Sequence, residues 1–174
     1  MGLALAALAP ATAAQAAGGG TPYPGAPAPA SAAATLAGGR AVAPAGAPAA
    51  VRRMLTAANR LIRKPYRYGG GHRRPWPAID SGYDCSGAVS YALYGARLLT
   101  APLDSTGLAR FGRRGPGEWV TVYANRSHTF IVIAGLRFDT GYRDAAVTPA
   151  GSGPRWAVSS RSTRGFAARH PNGL

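Results

Sequence analysis

The chain has 174 residues, 47% of them hydrophobic and 15% charged, with 20 Lys and Arg against 6 Asp and Glu. That length suits one domain of ordinary size with a tail and excludes two large ones. No apolar run reaches the ~18 residues that a membrane-crossing helix needs. The single cysteine, Cys85, excludes an internal disulfide and a cysteine-based zinc site. His72, His128 and His170 share no helical spacing, so neither a metal centre nor a cofactor is expected.

The formal net charge is +14, and only Lys64 among the basic residues is lysine. The arginines come singly or in pairs such as Arg52-Arg53 and Arg113-Arg114, never in a long run. The balance predicts adhesion to anionic cell-envelope polymers without a specific nucleic-acid signature.

Residues 1–17 carry no charge, a short apolar stretch and an A-x-A-like site at Ala14-Gln15-Ala16. They read as the later part of an export signal that lacks its positive start. Residues 18–50 are mostly Ala, Pro, Gly and Ser and predict a disordered linker, because little large apolar surface is present to offset ordering. The folded part is expected over 51–174. Leu55, Ala58, Leu61 and Ile62 predict a helix near 51–63 that Pro65 stops. Residues 66–82, rich in Gly and Pro, read as a loop. Cys85, Ala88, Val89, Ala92, Leu93, Ala96 and Leu99 fall on one face of a second helix, with Asp84 as its N-cap.

Strand signals follow at Glu118–Ala124, Thr129–Ala134 and Leu136–Thr140, with weaker ones at Arg155–Ser159 and Gly165–His170. Helices first and an antiparallel meander afterwards give an α+β domain. A monomer is expected.

Cys85 at a helix start meets free N–H groups and the positive end of the macrodipole, which favour thiolate. Ser86 and Gly87 beside it are small and leave room for a substrate. A thiolate nucleophile needs a base, and His128 opens the most apolar strand. With Ala134-Gly135 as a two-residue turn, Ile133 faces Leu136, and Ile131, Ile133, Leu136 and Phe138 form a core face. The opposite face then carries His128 and Asp139 as diagonal neighbours, so Asp139 can orient the imidazole. A three-residue turn would put Thr140 there instead.

The segments Tyr66-Arg67-Tyr68-Gly69-Gly70 and Tyr83-Asp84-Cys85-Ser86-Gly87-Ala88-Val89, followed by His128, resemble the NlpC/P60 family of papain-like cysteine peptidases of bacterial cell walls. The resemblance runs from about Leu61 to Asp139. It implies a papain-like α+β fold and a Cys85 nucleophile with a His128 base. It further implies hydrolysis of peptidoglycan stem peptides, often between D-glutamate and a diamino acid, by an exported or wall-associated enzyme. Tyr66 would line the site, with Asp84 and Ser86 on the substrate side. Two positions depart from the family pattern. Its third residue is usually His, Asn or Gln, where this chain has Asp139, and its Gly before the histidine is Ser127. A catalytically silent wall-binding module and a thiol amidase or acyltransferase on another substrate are the competing expectations.

Overall fold

A computed structural model describes residues 33–141, 153–158 and 162–174. Its elements are mixed: helices precede an antiparallel sheet, as the order of sequence signals predicts. Two short strands, β1 (Thr35–Ala37) and β2 (Arg40–Val42), pair antiparallel across Gly38-Gly39. Both glycines have positive φ, 56° and 75°, which suits a tight two-residue turn. Helix α1 (Ala49–Asn59) follows, then α2 (Cys85–Gly95) and the single turn α3 (Ser105–Leu108).

The strands β3 (Arg113–Arg114), β4 (Val120–Ala124), β5 (Thr129–Ile133), β6 (Leu136–Asp139), β7 (Arg155–Ala157) and β8 (Ala167–His170) make a six-stranded sheet among the described residues. Its order is β3-β8-β4-β5-β6-β7. From β4 to β7 it is the expected meander, but β8 returns to pair with β4 on the far side of β5. Among the described residues no helix is long and apolar enough to cross a membrane.

The expectation of disorder over 18–50 and a fold beginning at 51 fails for residues 33–50. Ala34, Ala41 and Ala47 are buried in the core, and Ala34 N–H donates to Ala134 O at 2.8 Å. Leu36 and Val42 of this hairpin are exposed, and what holds it is tertiary hydrogen bonding rather than buried side-chain bulk. Asn59, the last residue of α1, donates from Nδ2 to Ala41 O at 2.8 Å and accepts from Ala41 N–H at 2.9 Å. The same Oδ1 accepts from Trp156 Nε1 at 2.9 Å. One amide thus ties the hairpin, α1 and β7 together. The expectations for 1–17 and for 18–32 lie outside the described residues.

Helix α1 packs on α2, with Val51, Met54, Leu55 and Ala58 buried against Ala88, Val89, Ala92 and Leu93. Gly95 permits their close approach: a Cβ there would lie 2.3 Å from the Ala57 Cβ. Val120, Val122, Ile131, Ile133, Leu136 and Phe138 complete the core from one face of the sheet.

Replacing Asn59 with Leu strands the Trp156 N–H and both polar groups of Ala41. Stability in urea should fall by about 2–4 kcal/mol. Asn59→Asp keeps the acceptor and should lose less; equal losses for the two variants would show that the amide is not the tie.

Candidate active site

The loop 65–83 and the first turn of α2 form one unit. Tyr66 and Tyr83 bridge in parallel, with Arg67 N–H donating to Tyr83 O and Tyr83 N–H to Pro65 O. The Asp84 N–H then donates to Gly70 O at 3.1 Å. Glycine is required where these backbones touch, since a Cβ on Gly87 would lie 2.1 Å from Gly70 O. Asp84 caps α2 as expected, its Oδ1 accepting from Gly87 N–H at 2.7 Å. Its Oδ2 accepts from Gly69 N–H at 3.0 Å, so one carboxylate fixes both loop and helix start. The Ser86 hydroxyl donates to Asp84 Oδ1 at 3.0 Å.

This frame places Cys85 as the first residue of α2. Its sulfur lies 3.8 Å from Ser105 Oγ, and the His128 ring and the Thr129 N–H are the other polar groups that act on it. Burial acts to raise the Cys85 thiol. The contacts to His128, Thr129 and Ser105 outweigh it, and the thiol sits below its ordinary range.

The turn at Ala134-Gly135 has two residues with φ of 46° and 82°, and Ile133 pairs with Leu136. That register sets Asp139, rather than Thr140, against the imidazole. Asp139 Oδ1 lies 2.8 Å from His128 Nε2, which leaves Nδ1 free of the carboxylate. The Asp139 side chain is fully enclosed. Its Oδ1 also accepts from Gly141 N–H at 2.8 Å, and its Oδ2 takes Arg137 Nε and Nη2 at 2.9 and 2.6 Å. Burial acts to raise the Asp139 carboxyl. His128, Gly141 and Arg137 together hold it below the usual range. The Asp139 hydrogen bond, then that of Cys85, pushes His128 up to about 9.

Two neighbours, Ser105 and Arg137, are not expected from the sequence, and a third, His72, is more engaged than its loop position suggests. Ser105 reaches the sulfur from α3, a turn that Asp104 caps through Gly107 N–H at 2.7 Å; the D-S-T-G spacing could have signalled it. Arg137 stacks over the Phe130 ring, 3.4 Å from its centroid, and pins Asp139; its period-two spacing placed it on that face. His72, expected from the sequence as a loop residue near the cleft, sends Nε2 to Asp84 Oδ1 and Ser86 Oγ, both at 3.1 Å. Asp84 and Ser86 are therefore buried and engaged with one another and with His72, whereas Tyr66 is 40% exposed. Burial raises the Tyr66 phenol, and the charges of Cys85 and Asp84 add to that.

With the thiol lowered and the imidazole raised, thiolate and imidazolium coexist over a window that closes near pH 9. Iodoacetamide should alkylate Cys85 at pH 6 much faster than a free cysteine, and His128→Ala should remove that advantage. A rate that follows an ordinary thiol in both proteins would show that no ion pair forms.

No family model matches the chain, and no curated protein sequence does. Among solved structures it is similar to a mutant of the Resuscitation Promoting Factor Interacting protein RipA, with 24% identity and a TM-score of 0.48. The match covers 69% of this chain and 61% of that one, so this chain spans less than two thirds of its length.

Proposed function

We propose that this protein is an exported cysteine peptidase or amidase that hydrolyses peptide bonds in peptidoglycan stem peptides, of the D-glutamyl–diamino acid endopeptidase type. One observation carries the chemistry: a thiol at a capped helix start shares an imidazole with an enclosed carboxylate 2.8 Å from the ring. A binding module has no need of that arrangement. The substrate class rests on the Y-x-Y-G-G and D-C-S-G segments and their resemblance to the NlpC/P60 family.

In this mechanism the Cys85 thiolate attacks the carbonyl carbon of the scissile amide. The Cys85 N–H, at the open first turn of α2, donates to the developing oxyanion. The His128 imidazolium protonates the leaving amine, and the neutral ring then takes a proton from the water that hydrolyses the thioester. Asp139 keeps the ring oriented and favours its charged form, with Arg137 and Gly141 holding the carboxylate. Tyr66 lines the cleft beside the sulfur. Asp84 and Ser86, with His72 bonded to both, form the substrate side of the cleft in this reading.

Digesting purified peptidoglycan with the wild type and with Cys85→Ala, followed by mass spectrometry, tests the reading. New amine and carboxyl termini at one stem bond are expected from the wild type alone. Retained binding with no new termini would favour the silent wall-binding module, and turnover of small amide or acyl donors only would favour the acyltransferase.

Asp139→Ala should cut kcat by at least about tenfold with little change in KM, because an orienting group acts in the transition state. Its pH profile should lose activity well below pH 9, since the imidazolium is no longer held by the carboxylate. A basic limb that stays near pH 9 in this variant would remove Asp139 from the mechanism.

A further inference from the structure

A cleft of about 600 Å³ lies between α1 and the C-terminal end of α2. It belongs to neither the Cys85 site nor the loop that frames it. Along the eleven residues of α2, Gly95 at its edge stands about 15 Å from Cys85. Four arginines line it: Arg52, Arg53 and Arg60 from one stripe of α1 and its end, and Arg97 from just beyond α2. All four are exposed. Among the described residues none of them pairs with a carboxylate, since the ion pairs are made by His72, Arg73, His128 and Arg137.

The placement works against the fold's own electrostatics. Arg52 and Arg53 stand in the N-terminal half of α1, where the macrodipole disfavours cations and no acidic residue occupies the first turn. Arg52 is nonetheless fixed, its guanidinium donating to Ala47 O. Arg97 has φ of 62°, a left-handed helix end that ordinarily takes glycine. Four like charges around one concavity repel, and a multiply charged anion relieves them. Guanidinium forks match phosphate oxygens two at a time.

The walls also discriminate between polyanions. Binding of single-stranded nucleic acid relies on open aromatic faces for base stacking. Here Tyr91 is 4% exposed, and Tyr94, 38% exposed, meets Trp76 edge-on at 5.0 Å between centroids, so this cleft offers one part-open ring and no run of stacking faces. We infer that this cleft binds a phosphodiester-linked polyol chain, an anionic polymer without bases. The inference is independent of the peptidase reading, because it uses no residue of the Cys85 site.

The test is binding of poly(glycerol phosphate) to the full chain over a range of salt. Arg53→Gln/Arg60→Gln/Arg97→Gln should weaken binding at least about tenfold and lower the slope of log K against log salt by about two to three. Arg113→Gln/Arg114→Gln/Arg164→Gln removes the same charge from exposed sites elsewhere and should change affinity less than about twofold. Equal losses in the two triples overturn the inference in favour of diffuse charge. So does tighter binding of oligo(dT) with the same number of phosphates, lost in the first triple, which would make the cleft a nucleic-acid site. Should the first triple melt early, the exposed Arg53→Glu alone decides, a loss under about twofold overturning the inference.

Discussion

The site depends on the contact between Gly70 and Gly87, where the backbone of a loop lies directly on the first turn of a helix. Neither position tolerates a β-carbon, and the Asp84 carboxylate bonds to N–H groups on both sides of the contact. Helix starts elsewhere are capped by a side chain that serves the helix alone. Here the cap is shared, so loop 65–83 and α2 move as one body. Cys85, one residue after the cap, inherits that rigidity. A thiol whose backbone is fixed in this way has part of its ordering done before any ligand arrives.

The other half of the site is held by a second shared carboxylate. Asp139 faces two cations, the Arg137 guanidinium and the His128 imidazole, and takes one on each oxygen. An uncompensated charge enclosed this fully would be costly, and the guanidinium removes that cost without consuming the oxygen that serves the ring. A neutral amide in the same place would orient the ring but would not stabilise its charge. Asp139 therefore does more electrostatic work than an amide would, and Arg137 is what allows a full negative charge to be buried there. Acidic residues are few in this chain, and both that matter at the site are placed to act on two elements at once.

Much of this was legible in the sequence. Asp84 and the small residues after Cys85 announced a capped helix start. The alternation from His128 to Asp139, with a two-residue turn, placed histidine and aspartate together because a period-two pattern fixes register and face at once. The hairpin at 35–42 was missed although Gly38-Gly39 is a strong turn signal. Its strands bury only Ala41, and their order comes from Asn59, itself bonded to Trp156, 17 residues or more away in sequence. Such bonds leave no periodicity to read. The same holds for His72, joined to Asp84 across 12 positions, and for β8, whose pairing with β4 instead of β7 is a matter of topology.

The hairpin's attachment also settles from which side the polypeptide enters its folded unit. Ala34 is bonded to Ala134, at the turn where β5 ends, whereas His128 stands at the opposite end of that strand. Five strand residues separate the two by about 17 Å. The described chain thus starts at the pole remote from His128. A load applied to Ala34 from the N-terminal side is borne by the Asn59 tie and the sheet's far rim, not by the strand end that carries His128.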